Sequence, residues 1–233
     1  VKFQTWSVSR LKAGPWDQDG RRDIYEKAEL SFDDHVLLKN FCDECDIEFF
    51  TSVFSIPDAK LLAEIQNKYV KIASFESRNI SLLEVCDSLF DIIFISTGTS
   101  TINEILESIK IIKNSEVVLM HCVSSYPLLH NDANLPQIPR LKEISPKIGY
   151  SDHTKGIEGV KIALEYGLDY IEKHFTIDQN LPGRDNKFSI LPAELNNLKE
   201  YIKLKNQMNI DHGDVLLECE KEAREVMEGR FNG

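Results

Sequence analysis

Short apolar runs recur along the chain at residues 1–5, 47–52, 69–74, 92–96, 117–121, 148–151 and 170–174, many of them ending in Ser, Thr or His. Their near-continuous Val, Ile, Phe and Tyr content suits strands covered on both faces. Between them lie segments of helical periodicity, several with a recognisable start or stop. Ser31 is placed to cap a helix through Val36, Leu37, Phe41 and Cys45, and Thr101 with Glu104 has the spacing of a capping box ahead of Ile105, Leu106, Ile109 and Ile112. Ile157, Val160, Ala163 and Leu164 form another apolar face, closed by Gly167, and residues 192–208 carry a later one through Leu195, Leu198, Tyr201, Ile202 and Leu204. Strand and helix alternating in this way predict a parallel α/β architecture, and seven strands can be counted. A TIM-type β/α barrel is the expected form, since such barrels run to about 250 residues as one domain.

Composition narrows the function. The chain has 233 residues and a formal net charge of −11, which argues against a nucleic-acid partner because affinity for a polyphosphate rests on Lys and Arg. No apolar run approaches the roughly 20 residues of a membrane span, and no signal-type segment opens the chain, so a soluble protein is expected. Five cysteines, an odd count, point to a reducing cytoplasm rather than a disulfide framework. Cys42 and Cys45 form a lone C-x-x-C inside a helical pattern, so core packing is expected there, a structural zinc needing four ligands.

A parallel barrel carries its chemistry at the carboxyl ends of its strands. The residues there are polar: Thr51 and Ser52, Ser74 and then Glu76, Ser96-Thr97-Gly98, Ser124 and Ser125, Ser151-Asp152-His153-Thr154, and His174. Any one such serine reads as a helix cap. A ring of them, with Lys2 and Lys71 on the same side, can bind phosphate or carboxylate oxygens. His153 and His174 close consecutive strands separated by a helical stretch, which sets them side by side, and paired neutral imidazoles suit a divalent metal. Glu172 lies two positions before His174, on the same strand face. Ser151-Asp152-His153 is not a hydrolase triad, because neighbours on a strand point to opposite faces. His121 reads as structural, His35, His130 and His212 carry no assigned function, and the charged tail from Glu218 to Arg230 reads as a solvated helix.

Six segments resemble, in matching order and spacing, the motifs of the sialic acid synthase family. They are Val1-Lys-Phe-Gln-Thr5, Phe94-Ile-Ser-Thr-Gly98, His121-Cys-Val-Ser-Ser-Tyr-Pro127, Gly149-Tyr-Ser-Asp-His-Thr154, Glu172-Lys-His-Phe-Thr176 and Pro182-Gly-Arg-Asp185. The resemblance implies a metal-dependent, cytoplasmic and homodimeric enzyme. It condenses phosphoenolpyruvate with an N-acetylated amino sugar in its open-chain aldehyde form and releases phosphate. Carried over by position, His153 and His174 hold the divalent ion, manganese first, with magnesium and cobalt as alternatives. Lys2, Ser52, Lys71, Ser74, Ser96, Ser124 and Ser151 surround phosphoenolpyruvate, while Tyr126 and Asp185 face the sugar. Tyr126 precedes Pro127 and is thereby biased to extended backbone, where sugar contact and plain packing both remain open. Asp185 and Glu172 are the carboxylates available as base when water adds, and Lys71 offsets substrate charge.

The match departs from the family in three places. The family's first strand and helix are expected to be lacking before Val1. Residues 1–210 are expected to form the barrel and 211–233 a helical tail or start of a linker, without the family's C-terminal antifreeze-like domain. Arg184 stands where the family commonly has proline, which is expected to alter sugar preference. Two rival readings stay open: a metal-dependent barrel hydrolase, and a noncatalytic barrel that binds a sugar or a partner.

Overall fold

A computed structural model describes residues 1–231. Seven strands, β1 (Lys2–Thr5), β2 (Phe50–Val53), β3 (Tyr69–Ile72), β4 (Ile92–Ser96), β5 (Glu116–Cys122), β6 (Lys147–Asp152) and β7 (Tyr170–Lys173), form one sheet in sequential order. Every neighbouring pair is parallel. The connecting helices are α1 (Arg21–Ala28), α2 (Phe32–Glu44), α3 (Ile56–Ile65), α4 (Ile80–Leu89), α5 (Ile102–Ile109), α6 (Gln137–Lys142) and α7 (Glu158–Ala163), with α8 (Pro192–Met208) and α9 (Lys221–Met227) later in the chain. The chain divides into two compact units, residues 1–194 and residues from 195 onward.

The helix starts follow the side chains that cap them. Ser31 Oγ accepts from the Asp34 amide while Asp34 reaches back to the Ser31 amide, and Thr101 and Glu104 do the same at α5. Gly167, at φ 68°, closes the short helical turn after α7 in the left-handed conformation that glycine adopts without penalty. α1 has no counterpart among the expected helices. α2 ends in a turn through Asp46 at φ 53°, so β2 begins at Phe50 and not at Ile47, which is exposed.

The strands bury both faces. Val53, Val70, Ile72, Ile93, Ile95, Leu119 and Ile148 pack outward against helix residues such as Leu62, Leu82, Leu83, Ile105 and Leu141. The alternate positions point inward, where Phe94 meets Phe50 and Tyr170 at ring-centroid distances of 4.9 Å each. Contacts among β2, β4 and β7 require that the sheet curl around a shared interior. Gly149 lines that interior at a point where a methyl group would come within 2.1 Å of Met120 Sδ and 3.0 Å of Tyr170 Cβ. Gly149→Ala is therefore expected to destabilise the fold by about 1–3 kcal/mol through overpacking. Urea unfolding checks this, and an unchanged midpoint would show that Met120 yields freely.

Above the aromatic layer the inward positions turn polar, at Ser52, Lys71, Ser96, Cys122, Ser151 and Glu172, all on strands. Cys42 is buried in α2 as expected of a core residue, but Cys45 is exposed at the helix end, and all five cysteines are free. His121 is buried, stacks on Tyr150 at 5.5 Å and donates from Nε2 to the Ala133 carbonyl, consistent with a structural role. His35 has a structural place of its own. It is fully buried, donates from Nδ1 to the Ser31 carbonyl and accepts from the Thr5 hydroxyl, which ties α2 to β1. In the tail, α9 is exposed and laced by Lys221–Glu218 and Arg224–Glu228 pairs. Among the described residues no helix is long and apolar enough to cross a membrane.

Candidate active site

The polar layer and the rim above it form one continuous site. Lys71 is buried at the end of β3, where its ammonium donates to Ser96 Oγ at 2.6 Å and faces Glu172 Oε1 at 3.3 Å. Lys2, on β1, donates to Ser52 Oγ at 3.2 Å and lies 3.7 Å from the other Glu172 oxygen. Ser151 donates to Glu172 Oε1 at 2.7 Å. Two ammonium groups thus converge on one carboxylate, leaving a local excess of positive charge inside a chain that is acidic overall. Burial opposes ionisation of Glu172, but Lys2 and Lys71 outweigh it and hold the carboxyl well below its usual range. Burial and the neighbouring Lys71 lower the Lys2 ammonium, against the pull of Glu172.

Beside this charge cluster is a close-set group of hydroxyls. Ser74 Oγ lies 3.4 Å from Cys122 Sγ, which in turn is 3.9 Å from Ser124 Oγ. Gly98 makes the pocket possible: a Cβ on it would sit 2.5 Å from Ser124 Oγ, 2.7 Å from Ser74 Oγ and 3.2 Å from Cys122 Sγ. Only a residue without a side chain leaves these groups open to a ligand.

The two histidines stand next to this group, His153 Nδ1 3.9 Å from Cys122 Sγ, and each lies one residue beyond the last position of its strand. Their rings are 5.3 Å apart and inclined by 61°. His153 is buried, and its Nδ1 donates to the Val123 carbonyl at 2.9 Å, so Nε2 is the nitrogen that carries the lone pair when the ring is neutral. His174 Nδ1 faces Asp185 Oδ2 at 3.5 Å. Burial, with the nearby charge of His153, pushes His174 down to about 4, so its imidazole is neutral at physiological pH. For His153, burial acts in the same direction but is outweighed by Cys122, the Val123 carbonyl and Glu172, which raise it. This donor set fits a divalent ion that keeps several positions for water or substrate. It does not form a closed structural cage, since among the described residues no group of three or more His, Cys, Asp or Glu side chains could hold a metal.

Aromatic rings close the histidine side. The Tyr126 ring lies 4.3 Å from His153 and 6.1 Å from His174, while Phe188 packs 5.1 Å from His174 and 6.0 Å from Tyr126. Tyr126 is partly exposed and presents its ring to the rim. Asp185 follows in a short helical turn, with its carboxyl raised by burial. Lys2, Ser52, Lys71, Ser74, Ser96, Ser124, Tyr126, Ser151, His153, Glu172, His174 and Asp185 therefore lie in or beside this one region. Sequence reading missed Gly98 as the floor of the hydroxyl pocket, Cys122 as its neighbour and Phe188 as the ring behind His174. For Gly98 the Ser-Thr-Gly string at a strand end was an available signal.

Comparison with known proteins gives a consistent result. A model of the NeuB family matches residues 1–212. The N,N'-diacetyllegionaminic acid synthase of Campylobacter jejuni is 32% identical over 220 residues, an alignment covering 87% of this chain and 66% of that protein. The crystal structure of N-acetylneuraminic acid (sialic acid) synthetase from Leptospira borgpetersenii, in complex with citrate, superposes with a TM-score of 0.85 at 34% identity and covers 97% of this chain and 79% of that one. The DAHP synthase of Thermotoga maritima, at 15% identity, shares the fold with a TM-score of 0.71. The chain thus spans about two thirds of the length of the Campylobacter relative.

Proposed function

Because the chain belongs to the NeuB family, we propose that it is the catalytic part of a nonulosonic acid synthase, condensing phosphoenolpyruvate with an open-chain N-acylated amino sugar and releasing phosphate. The single observation that carries this reading is the arrangement of charge at the rim. A hydroxyl-lined pocket with two converging ammonium groups lies beside two imidazoles suited to a divalent ion, manganese first. In the same reading the curled sheet is the larger part of a TIM-type barrel and the working protein is a cytoplasmic homodimer.

The roles follow from position. Lys2 and Lys71 bind the phosphate and carboxylate of phosphoenolpyruvate, with Ser52, Ser74, Ser96 and Ser124 donating hydrogen bonds to the same oxygens and Ser151 beside them, its proton held by Glu172. When bound by His153 and His174, the divalent ion supplies Lewis acidity for a carbonyl oxygen. Tyr126 and Asp185 border the space left for the sugar. Condensation joins the enol carbon to the aldehyde carbon, sends the carbonyl π electrons to the aldehyde oxygen, which takes up a proton to become a hydroxyl, and leaves a cationic carbon bearing the phosphate. Water then adds there, and phosphate departs with the electrons of its bond to that carbon. The water must lose a proton as it adds. Geometry favours Asp185 as its acceptor, because Glu172 is already engaged by Lys2, Lys71 and Ser151. Glu172 instead holds the two ammonium groups in place and stabilises the nearby positive charge.

The test is phosphate release by the purified protein. It is expected only when phosphoenolpyruvate, Mn²⁺ and an N-acyl amino sugar are all present, and release from phosphoenolpyruvate without sugar would refute the reading. A barrel hydrolase would ignore phosphoenolpyruvate, and a noncatalytic binding barrel would release nothing. Gly98→Ala supplies a sharper check on the pocket. Its backbone is not in the left-handed region, so the added methyl intrudes on Ser74 and Ser124 with little backbone strain. The Michaelis constant for phosphoenolpyruvate is expected to rise on the order of 10–100-fold, while the melting temperature stays close to native. An unchanged constant would place the substrate elsewhere.

A further inference from the structure

Directly behind the two histidines lies a buried ion pair for which the reaction provides no task. Asp152 and Lys173 are register partners on β6 and β7, and each immediately precedes one of the histidines. Alternation along a strand sends them to the opposite face of the sheet from the imidazoles. Lys173 Nζ donates to Asp152 Oδ2 at 2.7 Å and also to the backbone carbonyl of Thr154. Asp152 further accepts from the Tyr150 hydroxyl, the Thr154 amide and the Thr154 hydroxyl, each at 2.9 Å. Lys173 therefore grips the residues on both sides of His153 while being itself the neighbour of His174. α7 seals the pair from water: a Cβ on Gly159 would come within 2.7 Å of Thr154 Oγ1 and 3.3 Å of Asp152 Oδ2.

Net stability is a poor reason for such an arrangement. The side chains retain only 5% and 0% of their exposure, and desolvating two charges costs about as much as their attraction returns. What a fully hydrogen-bonded buried pair provides is fixed geometry across two strand ends. We propose that Asp152 and Lys173 are positioning residues that set the separation and orientation of His153 and His174, and through them the affinity for the divalent ion. This rests on the reading of those histidines as metal ligands. Neither residue touches substrate or metal in the proposal. They act by locking the backbone from which the ligands project, as partners behind a metal ligand do elsewhere at a cost of about 10–100-fold in affinity when removed.

The experiment measures Mn²⁺ binding to the full chain by electron paramagnetic resonance of the free ion, alongside thermal unfolding. Asp152→Glu keeps both charges but lengthens one arm, and the double variant Asp152→Asn/Lys173→Met removes both charges and leaves neither unpaired. Each is expected to fold and to bind Mn²⁺ about 10–100-fold more weakly. A control separates positioning from general loss of stability. Asp87, remote on α4, accepts from the amides of Lys113, Asn114 and Ser115, so Asp87→Asn is expected to lower the melting temperature and leave the Mn²⁺ dissociation constant unchanged. Native Mn²⁺ affinity in either pair variant would overturn the proposal, as would equal weakening by Asp87→Asn. Failure of both pair variants to fold would also overturn it, by making the pair a folding element. Absence of Mn²⁺ binding by the native chain, or native affinity in His153→Ala, would instead refute the ligand assignment, and the proposal with it.

Discussion

Replacing either His153 or His174 by alanine is expected to abolish metal-dependent turnover while leaving the fold intact. A metal acting as a Lewis acid supplies several kcal/mol of charge stabilisation. At about 1.4 kcal/mol per factor of ten, losing it should cost on the order of a thousandfold or more in kcat/KM. The fold should survive because both rings sit one residue past the paired strand, where no ladder hydrogen bond depends on the side chain. His153→Ala also forfeits the bond to the Val123 carbonyl, an expected stability cost of about 1 kcal/mol. Activity is measured after chelation and stepwise Mn²⁺ addition, with circular dichroism as the fold control. Full recovery of rate by either variant would remove that histidine from the metal site.

Lys71→Met is expected to act on substrate binding, raising the Michaelis constant for phosphoenolpyruvate by about a hundredfold, since hydrogen bonds to charged groups are each worth roughly 1.5–3 kcal/mol. The effect should exceed that of an exposed lysine because Lys71 is buried and its interaction is poorly screened by water. Without it, Glu172 is balanced by Lys2 alone, and the pocket loses the excess positive charge that would attract an incoming anion. Methionine preserves the apolar stem, so a melting temperature near native is expected together with the kinetic loss. A kcat that collapses at an unchanged Michaelis constant would assign Lys71 to the chemical step rather than to anion binding.

The parallel order of strands was legible because continuous apolar runs alternating with capped helices leave few other ways to bury both faces. The pairing of His153 with His174 was legible for the same reason, since consecutive strands of a β/α unit end side by side. Cross-interior contacts were not. That Lys71 on β3 and Lys2 on β1 both reach Glu172 on β7 depends on how the sheet curls, which no local pattern encodes. Strand boundaries slipped where a turn intervened: Ile47 and Phe49 alternate with Glu48 in a way that reads as strand, yet Asp46 in a left-handed conformation delays β2 to Phe50. α1 escaped notice because its residues, Arg21 to Ala28, show too weak an apolar face to stand out. The Asp152–Lys173 pair was invisible for a subtler reason, because each residue reads as a polar neighbour of a histidine until register places them opposite one another.

The most direct test of the account is an anomalous difference map, collected at the manganese edge from crystals soaked in Mn²⁺ and phosphoenolpyruvate. A single strong peak ligated jointly by His153 and His174 is expected, with the phosphate and carboxylate of phosphoenolpyruvate against Lys2, Lys71 and the Ser74–Gly98–Ser124 cradle. Manganese bound elsewhere, or phosphoenolpyruvate remote from Lys71, would contradict it.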